Sequence, residues 1–105
     1  MKMAYVRIAL AEPVSGEAAA ERADVGADFY SDVPGLLAKH YLRSEDGFTV
    51  GGIYLWESKE NGEAFFEGEW RQRIAQLNGA DPRIEWFEAP VVIDNVHGEI
   101  FSDEM

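Results

Sequence analysis

The chain contains no cysteine, and that single absence removes disulfides, thiolate metal sites and a cysteine nucleophile together. Histidine is nearly as scarce. His40 and His97 are the only two, and no HxxE or HxxxH spacing is present, so a zinc site is not signalled. Walker, GxGxxG, GxSxG and kinase motifs are also missing, which leaves nucleotide and flavin sites without a phosphate-cradling loop. The expectation is a protein without metal or cofactor. Basic residues are few: nine against 20 acids, a net charge of −11. Such a surface repels DNA, RNA and anionic lipid, so nucleic-acid and membrane partners are not expected. No apolar run approaches the roughly 20 residues of a membrane span. The opening "MKMAYVRIAL" is interrupted by Arg7 and followed by "EPVSGE", which reads as a strand rather than a signal peptide, and the cytoplasm is the expected compartment.

What is present is a compact alternation of strand and helix signals in 105 residues, one domain by length. "AYVRIAL" (4–10) alternates as a first strand. Ser15 is placed to cap a helix over "GEAAAERADVGADFY", with Val25 and Phe29 as its apolar stripe. "DVPG" (32–35) is a turn, and "LLAKHYLR" (36–43) a second strand. Asp46-Gly47 suits a two-residue type I′ hairpin turn leading into a third strand, Thr49 to Glu57. A second helix, starting near Ser58 or Asn61, carries "EAFFEGEWRQRIAQL" with the stripe Phe66, Trp70, Ile74 and Leu77. "RIEWFEAPVVIDN" is expected as the fourth strand, bent at Pro90, and residues 97–105 as an acidic C-terminal tail beyond a domain of residues 1–96.

The order βαββαβ is that of a ferredoxin-like α+β fold: a four-stranded antiparallel sheet with two helices on one face. The second and third strands are apolar or aromatic on both parities. Both faces of the sheet therefore need covering, and a second copy of the chain is the simplest cover for the face without helices.

The pattern "VPGLLAKHYL … DG … GGIYLWES … AFFEGEW" resembles the antibiotic-biosynthesis monooxygenase superfamily of dimeric α+β barrels, and within it the YdhR-like mono-oxygenase branch. The resemblance runs from residue 4 to about 95. It implies a homodimer closed sheet to sheet, a small aromatic or apolar ligand, and Trp56 of "WES" lining a pocket between sheet and helices. Haem-degrading members carry an asparagine on the first strand and a histidine on the second helix; "AYVRIAL" and the second helix here have neither.

The hairpin fixes which residues share a face. With Asp46 and Gly47 as the loop, Arg43 opposes Val50, Tyr41 opposes Gly52, Lys39 opposes Tyr54 and Leu37 opposes Trp56. A three-residue loop would reverse the parity and bring His40 beside Tyr54 instead. The candidates for chemistry are thus Lys39, Tyr41 and Tyr54, with His40 as the alternative. Gly52, Trp56, Phe66 and Trp70 are the candidates for holding a flat substrate, Gly52 by leaving a gap under the Tyr41 ring. Tyrosine hydroxyls suit hydrogen bonds to a phenol or quinone oxygen, and a lysine suits a developing phenolate. Against this, tryptophans in small domains are commonly core, and a strand lysine can simply reach past the edge into water. Two functions are compatible with these residues. One is a cofactor-independent monooxygenase, or related isomerase or cyclase, acting on a small aromatic or polyketide-like molecule. The other is a non-catalytic homodimeric ligand-binding or stress-related protein.

Overall fold

The computed structural model describes residues 1–103. Its elements run β1 (Lys2–Ala9), α1 (Gly16–Tyr30), β2 (Leu36–Arg43), β3 (Thr49–Trp56), α2 (Lys59–Phe66), α3 (Glu69–Asn78), β4 (Arg83–Glu88), β5 (Val91–Asp94) and β6 (Glu99–Ser102). Strands β1–β4 form one antiparallel sheet in the order β2-β3-β1-β4, the ferredoxin-like arrangement. The helices lie on the face bearing Ala4, Val6, Tyr54 and Trp56, which are buried together with Phe66 and Trp70.

Local signals explain most element ends. Ser15 Oγ accepts from Ala18 N at 3.1 Å and Ser58 Oγ from Asn61 N at 3.2 Å, each occupying an amide that the first helical turn leaves free. Gly79, at φ 70°, closes α3 in the left-handed conformation that a Cβ disfavours.

Four sequence expectations are corrected in detail. The second helix is two, because Gly68 leaves the helical region with ψ −153° and caps α3 instead. The stripe read on it divides accordingly: Phe66 and Trp70 are buried, while Leu77 at its far end is 67% exposed. In α1 the inward stripe is not Val25 and Phe29. Val25 is 88% exposed, and the half-buried residues are Ala18, Ala19, Ala23, Gly26 and Tyr30, the last four at helical spacing of four, three and four.

The hairpin turn is not type I′. Gly47 has a positive φ (80°) but Asp46 does not. Gly47 N donates to Ser44 O at 2.9 Å, and the Asp46 carboxylate accepts from Phe48 N at 3.0 Å and from Ser44 Oγ at 2.7 Å. These hydrogen bonds hold the Asp46 carboxyl below its ordinary pKa. Parity survives, because Ser44 N still bonds Thr49 O.

The fourth strand, expected to run on past Pro90, ends at Glu88. Proline cannot supply a ladder N–H, and Val91–Asp94 pairs with Glu99–Ser102 in a separate hairpin. Part of the stretch read as tail is therefore strand; residues 104–105 lie outside the described residues. Ala89 N bonding to Met1 O, Asp103 N bonding to Pro90 O, and an ion pair from the Met1 amine to Asp103 tie the hairpin's base to the domain. Its residues Val91, Ile93, Val96 and Ile100 are exposed.

Candidate functional site

The β2–β3 ladder pairs Arg43 with Val50, Tyr41 with Gly52 and Lys39 with Tyr54. The expected partner of Trp56 was Leu37. A bulge between Leu36 and Ala38 makes it Leu36. An extra residue in a strand shifts register only on its far side, so the parity around Lys39 is untouched. His40 pairs with Ile53, on the sheet face away from the helices.

The paired glycines of "TVGGIYLWES" have separate causes. Gly51 sits at φ 156°, and a Cβ there would collide with the Val6 carbonyl of the neighbouring strand. Gly52 is buried with normal backbone, and a Cβ would collide with the His40 carbonyl of β2 at 2.7 Å and lie 3.3 Å from Lys39 Cε and 3.4 Å from Tyr54 Cε1. Gly52 is thus required by the close approach of the β2 backbone, and the room beside it is filled by the Lys39 stem and the Tyr54 ring.

Lys39 ends in an aromatic box. Its Nζ lies 3.2 Å from the centroid of the Tyr30 ring, 3.7 Å from that of Tyr41 and 4.9 Å from that of Tyr54. Ring faces attract a cation, yet no carboxylate or carbonyl accepts a hydrogen bond from this amine among the described residues. Burial without a counter-charge lowers the Lys39 pKa from 10.5 to about 7. The same burial, with the neighbouring Tyr30, pushes Tyr41 up to about 12 and Tyr54 up further, so both hydroxyls keep their protons at any ordinary pH. Trp70 Nε1 donates to Tyr30 Oη at 3.1 Å, which leaves the Tyr30 hydroxyl proton free to donate in turn.

This group forms the floor of an open cavity of about 860 Å³ between α1, α3 and the sheet. Lys39, Tyr41, Tyr54 and Trp70 line it. The other candidates lie elsewhere. Trp56 (0% exposed) and Phe66 (2%) belong to the solid core under α2, packed edge to face with ring centroids 5.6 Å apart. Tyr30, which completes the box, was not singled out from the sequence. The signal was present but faint: it is the last member of the Ala19–Ala23–Gly26 stripe, whose small residues hardly register as apolar. A Cβ at Gly26 would lie 3.7 Å from Tyr41 Oη, an ordinary contact, so the Tyr41 hydroxyl runs close beneath the helix at this point.

Among the described residues, no group of three or more His, Asp or Glu could hold a metal ion, and no helix is long and apolar enough to cross a membrane.

Residues 5–96 match the family described as "Putative mono-oxygenase ydhR". The chain belongs to this family. Two solved structures share its fold. One is a monooxygenase from the gene ActVA-Orf6 of Streptomyces coelicolor, in complex with nanaomycin D, at 23% identity and TM-score 0.67 over 89% of this chain and 90% of that one. The other is a putative antibiotic biosynthesis monooxygenase from Deinococcus radiodurans, at 13% identity and TM-score 0.61 over 90% and 97%. No curated protein sequence matches. At these identities the two structures speak for the fold; the family match carries the chemistry class.

Proposed function

We propose that the ydhR-family chain oxygenates a small aromatic or polyketide-like molecule held in the cavity, without a cofactor. The observation that carries this reading is the Lys39 box: a half-buried amine with a pKa of about 7, beside two tyrosines that stay protonated, all lining one cavity wide enough for a fused-ring substrate. A neutral Lys39 takes the proton from a phenol or from the acidic carbon of an anthrone. The resulting ammonium then pairs with the oxyanion, and the Tyr41 and Tyr54 hydroxyls donate hydrogen bonds to it. The carbanion form of the substrate reduces dioxygen, forming a C–O bond. Loss of the carbon's remaining hydrogen as a proton breaks the O–O bond, and water and a quinone leave. One dioxygen is consumed per quinone and water formed, so the reaction balances with no external reductant.

The test is oxygen uptake with an anthrone. Wild type should consume oxygen and form quinone in equal amounts, with a rate rising through about pH 7, and Lys39→Met should lose at least tenfold. Binding of the anthrone with no enzyme-dependent oxygen uptake would overturn the oxygenase reading in favour of a ligand-binding protein.

The assembly we propose is a homodimer across the bare sheet face. Met3, Tyr5, Ile53, Leu55 and Phe87 alternate to that face, and Phe87 is half exposed. In the single chain Leu55 is already covered, Met3, Tyr5 and Ile53 are half buried and Phe87 is exposed, so part of this apolar face is left in water. A stable pairing there buries on the order of 1,600 Å² in total. Sedimentation should give a dimer at micromolar concentration and a monomer for Phe87→Glu; a monomeric wild type would refute the pairing.

A further inference from the structure

Four of the chain's nine basic residues, Arg22, Lys39, Arg43 and Arg73, line the one cavity, against a single lining acid, Glu21, among the described residues. The chain as a whole has more than two acids per base. The cavity reverses that balance. None of the four bases forms an ion pair with a carboxylate among the described residues. Lys39 rests on aromatic rings, and the Arg73 guanidinium lies 4.6 Å from the centroid of the Phe29 ring. Arg43 is spent on backbone, its Nε donating to Val14 O at 2.7 Å and its Nη1 to Glu45 O at 3.3 Å. Arg22 and Arg73 are exposed, on α1 and α3, and Lys39 is half buried on the floor. Permanent positive charge is therefore held at the rim, above a floor amine whose pKa burial lowers to about 7, in a cavity whose remaining walls are largely apolar. A neutral polycycle would need none of it, and the dominant charge of the chain is kept away from it.

We infer that the ligand of this cavity is an aromatic molecule bearing a carboxylate, recognised by the rim guanidiniums of Arg22 and Arg73, with Lys39 left beneath for the reacting ring. A planar carboxylate matches the guanidinium fork, and the aromatic part of the ligand takes the place beside Tyr41 and Trp70. Charge of one sign lining a low-dielectric cleft also concentrates an oppositely charged ligand from solution, while the surrounding acids turn anions away elsewhere. This inference deepens the proposed function and rests on the cavity being the ligand site.

The experiment compares 2-naphthoic acid with its neutral isostere 2-naphthamide by titration calorimetry, on the wild type and on the double variant Arg22→Gln, Arg73→Gln. Both positions are exposed, so the variant should fold; Arg43 is left in place because its removal would strand the Val14 carbonyl. Wild type should bind the acid at least tenfold more tightly than the amide. The double variant should lose most of that preference while binding the amide as before, and 0.5 M salt should shrink the wild-type preference. Equal affinity for acid and amide overturns the anion inference and leaves the cavity as the ligand site. A preference retained in full by the double variant overturns the role given to the rim. Failure of both probes to bind overturns the cavity reading itself, and this inference with it.

Discussion

The two halves of the space between helices and sheet are built on opposite principles. Beneath α2 and the start of α3 the layer is solid: Trp56, Phe66 and Trp70 are almost fully buried, and the Phe66 and Trp70 rings pack at a tilt with centroids 4.7 Å apart. Beneath α1 the layer is hollow. No residue of α1 is fully buried, and the face it turns to the sheet is Ala19, Ala23 and Gly26, until Tyr30 closes the box over Lys39. One half spends its aromatic area on stability and the other leaves room. Large side chains on one helix and small ones on another are enough to divide a single core into scaffold and site. Substitutions that ought to fail in only one half are the way to break that contrast.

The largest expected effect falls on the solid half. Trp56→Ala removes a fully buried ring and leaves a cavity among aromatic neighbours that cannot collapse into it, which costs about 3–5 kcal/mol. Denaturant unfolding checks this. A loss under about 1 kcal/mol would mean that this half is no better packed than the other. Next comes Gly51→Ala, which combines an unfavourable φ with a collision against the Val6 carbonyl. It should cost at least about 1–3 kcal/mol, read in the same way, with the β1–β3 ladder as the weakened element.

Lys39 tests the boundary between the halves, through pH. Its folded pKa is about 7 against 10.5 when unfolded. Between those values the unfolded chain binds the proton and the folded chain does not, so this group makes stability rise with pH from about 7 upward. Below about 7 both states are protonated, and the cost of burying the charge is present in full. The slope cannot exceed about 1.4 kcal/mol per pH unit for one proton, and partial exposure of the amine makes it smaller. The raised tyrosines act the other way above about pH 10, where the unfolded phenols ionise first. The comparison therefore belongs between pH 7 and 9, as wild type minus Lys39→Met. A flat difference would show that the amine is as well solvated as any surface lysine.

The same contrast explains what was legible in the sequence. The pocket-facing trio of Lys39, Tyr41 and Tyr54 could be read from hairpin parity, because a two-residue period leaves two choices and an even loop length selects between them, even though the turn type differs. The solid half showed itself as a periodic aromatic stripe, Phe66 and Trp70. The hollow half did not. A face made of alanine and glycine has almost no hydrophobic signal, so the periodicity singles out Val25, which is exposed, and Phe29, which packs at the helix edge against Phe65. Trp56 and Phe66 read as ligand contacts for the same reason: an aromatic residue in sequence looks alike in a wall and in a core. The β5–β6 hairpin was hidden because its strand partner is local, and alternation alone does not reveal where a strand pairs.

The smallest expected effect on stability is the most discriminating. Ala23 sits in the middle of the α1 stripe and lines the cavity. Ala23→Leu adds a branched side chain at a position whose neighbours on the sheet side are empty space, and leucine forms helix nearly as well as alanine. Nothing is displaced and no polar group is stranded, so unfolding stability should stay within about 0.5 kcal/mol of wild type. The ligand meets the opposite outcome, because the leucine occupies the volume above the Lys39 box. Binding of 2-naphthoic acid should fall at least tenfold, with the thermal midpoint of the free protein unchanged. If α1 instead settles onto the sheet in solution, the leucine must overpack it, and stability falls by about 1–3 kcal/mol. The two readouts then move together, and the hollow half is not hollow.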